Sequence, residues 1–263
     1  MKRSLKFAFL LVFLLSILAG YSLISPYNYQ DVELSQMLLE PSTTHLLGTD
    51  ELGRDILTRL SYAVRTSLFV GAFVMVISVL VGCTIGSLSG YIGGKFDLLV
   101  MRIADVFLAF PGILLAIAFS ALVGNGFTSV ITALCLFSWV GFALMSRTQV
   151  LEIKNKPFIE SAQMAGVGKL KIVFRHLLPN IATIIIVESC FVFSGAIISE
   201  AGLSFLGIGI QAPDASLGIM LKQGMAYMLV SPHMILVPAI TLLIIVLMIN
   251  LFSDKLTQVI AKH

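Results

Sequence analysis

Charge is what this sequence has least of. Only 12% of its 263 residues are Asp, Glu, Lys or Arg, against 58% hydrophobic, and the mean hydropathy is +1.00. Soluble domains carry roughly a quarter of their residues as charges. This chain therefore lacks the polar surface that a water-soluble fold of its length needs. The same scarcity excludes disorder, which goes with few apolar and many charged residues. A net charge of +3, with no basic block flanked by stacking aromatics, argues against nucleic acid as a partner. Cysteine is scarce too: Cys83, Cys135 and Cys190 each sit inside an apolar run and read as buried hydrophobes, not disulfides or ligands. His45, His176, His233 and His263 are dispersed and form no ligand set, so no metal site is expected.

Catalytic and nucleotide motifs are missing as well. Neither H-E-x-x-H nor G-x-S-x-G occurs; in the nearest match to the latter, residues 86–90, Leu88 stands where the nucleophile belongs. Phosphate cradling by G-x-x-x-x-G-K-[S/T] is also excluded, because Gly94-Lys95 and Gly168-Lys169 are followed by Phe96 and Leu170. The chain is read as no enzyme, with no cofactor of its own.

What the sequence has instead is long apolar runs, over residues 7–25, 66–91, 100–122, 128–145, 180–198 and 234–252. Each is about long enough to cross a hydrocarbon core of roughly 30 Å. Continuous apolarity excludes barrel strands, which alternate, so each run must satisfy its backbone as a helix. The expected fold is an all-α membrane protein with six transmembrane helices. Residues 1–65 would form an anchor span and an extracytoplasmic loop, and residues 66–263 a five-span core. The first run follows Lys2, Arg3 and Lys6, but no A-x-A site follows it and Tyr21 stands where a lipoprotein cysteine would be, so it reads as uncleaved. With the N-terminus inside, thirteen of the 17 basic residues fall on the inner side. By the positive-inside rule both termini are cytoplasmic, in a multi-pass protein of the cytoplasmic (inner) membrane.

The inner loop between the fourth and fifth spans, residues 152–179, is polar and carries a docking signature. Ser161, Ala162, Ala165 and Gly166 leave one side of a short helix nearly bare, which suits close seating in a groove on another protein. An amphipathic helix resting on lipid headgroups is the alternative. Pro179 fits the first turn of the next helix. Glu160-Ser161-Ala162, three residues, Gly166, nine residues and His176-x-Leu178-Pro179 resemble the EAA loop of ABC-importer permeases. HLLGTDELGRD (45–55), MRIADVFLAFP (101–111), residues 139–147, EAGLSFLGIG (200–209) and Gln211-Ala212-Pro213 are similar to the dipeptide, oligopeptide and nickel branch.

That resemblance implies a second homologous permease, two cytoplasmic ATPase subunits that bind ATP and Mg, and an extracytoplasmic solute-binding protein. It also implies that Glu160, Ala162, Gly166, His176 and Pro179 couple the chain to an ATPase. Glu200, Gly202, Gly207 and Gly209 would sit at the outer end, as a contact for the gate or the binding protein or as a simple helix-end turn. Leu217 departs from the family, which places Trp there, and the C-terminus lacks its final Asp-Pro. The cargo stays open between small peptides and nickel or another metal complex. An ATP-independent secondary carrier or channel is the rival class; the absence of an internal repeat weighs against an inverted-repeat carrier.

Four further features stand out. Gly82, Gly86 and Gly90 form a small-residue stripe, for packing within the subunit or against a second permease. Arg102 and Asp105, spaced i, i+3, can pair as an inner-side clamp or touch cargo. Pro111 should kink the third span. Glu188 lies nine positions beyond Pro179, about 13 Å into the membrane. It should face the translocation path or a polar partner, as ionisable groups at that depth do, with a buried structural acid as the alternative.

Overall fold

A computed structural model describes residues 17–260. The elements are α1 (Ile56–Ile92), α2 (Gly94–Leu108), α3 (Gly112–Val123), α4 (Phe127–Ile153), α5 (Pro157–Met164), α6 (Lys169–Phe205), α7 (Leu217–Ala226) and α8 (His233–Ile260). Helices α1, α4, α6 and α8 are each long and apolar enough to cross a membrane, and α2 with α3 makes a fifth candidate. Between 22% and 39% of their apolar windows is buried inside the subunit, so most of the apolar surface faces outward. That inverts the soluble pattern and suits lipid or neighbouring subunits. The remaining expected span, residues 7–25, lies mostly outside the described residues, which themselves hold four or five candidate spans.

The helix limits depart from the hydropathy limits in instructive ways. Helix α1 begins ten residues early, because Asp55 caps it through the Thr58 N–H at 2.8 Å. Its 37 residues span about 55 Å, so its charged first turns project beyond a hydrocarbon core. Residue 65, a suggested domain boundary, therefore lies within a helix. Helix α4 runs on to Ile153, eight residues past the end of its apolar run, and so carries Arg147. The third span is not one kinked helix: α2 and α3 are bent by 84° around Ala109–Pro111. Pro111 has no N–H to continue the ladder, and it disfavours helix at Phe110 before it.

Helix α6 refines another expectation. Pro179 does lie in the first turn of the α-helical stretch Leu178–Phe205, as expected, but that stretch continues without a break from the residues before it, in one rod of 37 residues. The chain accommodates it by widening to a π turn over Val173–Leu177, where the Leu178 N–H reaches back to the Val173 carbonyl. The wider turn removes the clash between a proline ring and the preceding carbonyl.

The core is layered along the bundle. The largest helix contact is α1 against α4, and the glycine stripe makes it. A Cβ on Gly82 would meet Phe142 Cβ at 2.6 Å, and one on Gly86 would collide with the Ala143 carbonyl oxygen. The stripe thus packs within the subunit. Val70, Val74, Val130 and Leu203 fill the middle layer, and Val150, Ile172, Leu177 and Ile181 the layer beneath it.

Candidate functional site: coupling foot, outer node and mid-membrane acid

We call the lysine-rich end of the bundle its inner end. There α5 sits at the foot of α6. Pro157 starts α5 at a position where its missing N–H costs nothing. The helix ends in a Schellman closure: the Gly166 N–H bonds the Gln163 carbonyl at 2.9 Å, and the Val167 N–H bonds the Ala162 carbonyl at 3.1 Å. Gly166 has φ +74°, the left-handed geometry that this closure requires. It therefore shapes the corner into α6, and nothing lies within 4 Å of the side chain it lacks.

Ile159 and Ala162 are the buried face of α5, packed with Val150, Ile172, Val173 and Leu177. Ala162 therefore faces the subunit's own helices, and a small residue there lets α5 sit close to them. The face left for a partner is Pro157, Glu160, Ser161 and Met164, with Phe158 at its edge; Met164 is 82% exposed. Met164 and Phe158 were missed, because a bare-side argument looks for small residues. His176 is half-buried in the π turn, its carbonyl accepting from Asn180 Nδ2 at 2.7 Å, and Pro179 is exposed. Beside α5 runs a groove of about 570 Å³, lined in part by Tyr91, Lys154, Gln163 and Lys169.

Two ties hold this end together. Asp97 of α2 accepts from Arg147 Nε and Nη2, at 2.5 and 2.6 Å, and from the Ser89 hydroxyl of α1 at 2.5 Å. One carboxylate thereby joins α1, α2 and α4. Lys154 Nζ donates to the Gly90 carbonyl at 3.1 Å, a cation at the C-terminal end of α1. Sequence gave no hint of the first tie, whose partners are fifty residues apart. Arg102 and Asp105 do pair, at 3.6 Å, but their side chains are 76% and 61% exposed, so they clamp nothing inside this subunit.

At the outer end Glu200 is 0% exposed. It accepts from Ser67 Oγ of α1 and from Ser204 Oγ, both at 2.8 Å. A carboxyl so enclosed cannot touch a docking protein, and the structure places it as an internal tie between α1 and α6. Ser204 also accepts the Ile210 N–H at 3.0 Å, which folds the glycine-rich tail back on the helix end. Gly209 stands against Ser204 with no room for a Cβ, and Gly207, at φ +82°, sits under the Lys222 ammonium. Gly202 has only Ile113 Cδ1 near it, at 3.9 Å.

Beyond that node, residues 26–55 form a cap knitted by buried charge. Asp50 takes Arg54 Nε at 2.7 Å and Arg59 Nε at 3.3 Å. Arg59, 1% exposed, also reaches Gln223 of α7 at 3.0 Å. His45 bridges the capping Asp55, at 2.9 Å, and Gln36, at 2.8 Å. Glu51 pairs with Arg54 at 3.1 Å, yet burial and the neighbouring Asp50 hold its carboxyl above the ordinary range. The outer basic residues Arg54 and Arg59 are thus consumed in internal pairs.

Glu188 lies midway along α6, half-buried. Among the described residues no ion pair reaches it.

A bundle of long helices with apolar outward surfaces, an acid midway along one of them and a small helix seated on the inner end define the class: a helical membrane protein. Residues 82–263 match the family described as binding-protein-dependent transport system inner membrane component, and the chain belongs to it. It is 41% identical to the glutathione transport system permease protein GsiD of Pectobacterium atrosepticum, over 82% of this chain and 72% of that one. It is 40% identical to the dipeptide transport system permease protein DppC of Bacillus subtilis, over 83% and 68%. It is 36% identical to the oligopeptide transport system permease protein OppC of Haemophilus influenzae, over 88% and 75%. Among solved structures, a chain of the MetNI methionine ABC transporter in an inward-facing conformation shares the fold, with a TM-score of 0.62 at 19% identity over 76% of this chain and 95% of that one. The chain is therefore an inner-membrane permease component of a binding-protein-dependent transport system, and the rival reading as an autonomous carrier falls away.

Proposed function

We propose that this permease imports small peptides, driven by two cytoplasmic ATPase subunits that hold ATP and Mg. A second homologous permease would complete the pathway, an extracytoplasmic solute-binding protein would deliver cargo, and both termini would lie in the cytoplasm. Relatives named for glutathione, dipeptides and oligopeptides favour peptide over nickel as cargo. The observation that carries the reading is α5, seated by Ile159 and Ala162 and turning Glu160, Ser161 and Met164 outward at the foot of α6.

Closure of an ATPase dimer would displace that outward face. The Schellman corner at Ala165–Gly168 is short and closed by its own hydrogen bonds, so the displacement passes into α6. The π turn at Val173–Leu177 is the place where α6 can flex, since its hydrogen bonding is the least regular. The far end of α6 is tied to α1 through Glu200 and Ser67, so both outer helix ends respond.

Met164→Asp tests the proposal, because Met164 contributes nothing to the subunit's own core. We expect normal membrane insertion, with ATPase co-purification and peptide uptake reduced about tenfold or more, as for a central interface residue. Unchanged co-purification and uptake would overturn the assignment of the coupling face.

A further inference from the structure

Glu188 is a carboxyl in the middle of a membrane helix, with no ion-pair partner among the described residues. It is the twentieth of 37 residues in α6, so about 25–28 Å of helix lies on either side. The rod's first turns carry Lys169, Lys171, Arg175 and His176, and the apolar stretch that follows, residues 180–198, has Glu188 near its centre. Glu200, the other carboxyl of this rod, is enclosed and accepts two hydroxyl hydrogen bonds. Glu188 accepts none among the described residues, and it is not enclosed.

Its place on the helix explains why. Ile184, Glu188, Phe191 and Gly195 recur at i, i+4, i+7 and i+11, and so share one face. Ile184, Phe191 and Gly195 are exposed, whereas Ala196, Ile197 and Ala201 elsewhere on the helix are buried against neighbouring helices. Glu188 is thus the one charged position on a stripe of α6 that this subunit leaves uncovered. A stripe turned to hydrocarbon would leave a carboxyl unsolvated at mid-depth, which carries a cost of several kcal/mol. A stripe turned to a water-filled passage removes that cost. Near its outer end Gly202 meets Ile113 at the start of α3, so the broken helix α2–α3 flanks the same face.

Peptide cargo supplies the complementary charge. Every unblocked peptide carries an ammonium group that must shed water to pass a constriction at this depth. A fixed carboxylate restores part of that solvation through a charge-assisted hydrogen bond. We propose that Glu188 is the permease's own specificity residue: it holds the ammonium group of a peptide at mid-membrane and favours cargo of higher positive charge. This rests on the peptide-importer reading above.

The experiment uses the intact complex in vesicles, with its binding protein, and three dipeptides: lysyl-alanine, alanyl-alanine and aspartyl-alanine. Assembled complex and the binding protein's affinity for each dipeptide are measured alongside uptake. Glu188→Gln should lower kcat/KM for alanyl-alanine about tenfold, lysyl-alanine more and aspartyl-alanine less, and Glu188→Asp should restore most of the loss. Wild-type kinetics for all three in Glu188→Gln would overturn the proposal. So would an equal loss with Gln and Asp, which marks a packing role. Glu188→Cys, in a chain with Cys83, Cys135 and Cys190 replaced by alanine, separates this from the pathway reading. Labelling by a membrane-impermeant thiol reagent, slowed by cargo, keeps the pathway even if the charge order fails. No labelling removes both.

Discussion

The contact between α1 and α4 offers a sharp test, because glycine sets its distance. At Gly86 an added methyl would collide with the Ala143 carbonyl oxygen and the Ser146 hydroxyl, and it would lie 2.7 Å from the Ala143 carbonyl carbon. These are mainly backbone atoms and cannot rotate away. Overpacking costs about 1–3 kcal/mol, and a clash with fixed backbone belongs at the upper end, about 2–3 kcal/mol. Alanine returns up to about 1 kcal/mol of helix propensity over glycine, so the net destabilisation of Gly86→Ala is about 1–2 kcal/mol. For a chain of this size that lowers Tm by roughly 2–8 °C. Gly141 is the internal control: it lies in α4 with nothing within 4 Å of its absent Cβ. Gly141→Ala should therefore hold or raise Tm, by up to about 2–4 °C. Gly82 and Gly86 touch the same stretch of α4, so the double variant should lose less than the sum of the two, since helices pushed apart once need not be pushed again. The measurement is thermal unfolding of the purified full chain in detergent. Equal Tm values for Gly86→Ala and Gly141→Ala would refute the claim that glycine at this contact is required sterically.

Glu51 predicts a pH dependence in the cap. Its folded carboxyl titrates above the ordinary range because burial and Asp50 outweigh the arginines. The cap therefore favours the protonated form, and Glu51's opposition to cap stability builds as pH rises from the ordinary glutamate value to the raised one and is complete above it. Glu51→Gln should make residues 26–55 more resistant to limited proteolysis at neutral pH, with the advantage gone in acid below the ordinary glutamate range; a uniform effect at all pH values would contradict the sign. At the inner end, Asp97→Asn and Arg147→Gln should each loosen α2 from α4, and the exchanged pair Asp97→Arg with Arg147→Asp should recover part of the loss. Partly exposed bidentate pairs of this kind contribute about 1–2 kcal/mol. Cross-linking between α2 and α4 would read this, and an exchanged pair no better than either single variant would count against a direct tie.

How legible the molecule was depends on the range of each signal. Hydropathy located the membrane helices because spanning a bilayer is a local demand, met within about 20 residues. It placed the start of α1 ten residues late, since Arg59 and Arg65 looked like loop charges. Arg59 is buried only because Asp50 and Gln223 come to it from elsewhere in the chain. Pro111 announced a disturbance but not its size, as a proline tolerates anything from a kink to the 84° break observed. The EAA-like loop marked the segment that folds as α5, while the bare-side argument turned Ala162 outward where it packs inward. Small side chains serve a close seat on either side of a helix, and only packing shows which. Asp97 with Arg147 was invisible, being a pair made by helix geometry across fifty residues.

The length of α6 carries a further meaning. A long rod that tilts about its middle behaves as a seesaw, and Glu188 stands near that fulcrum. A tilt of about 10° about that point would carry the two ends some 5 Å in opposite directions while the carboxylate stays almost still. Opening one mouth and shutting the other would then be a single motion. The passenger, held at the pivot, would see the two doors trade places around it.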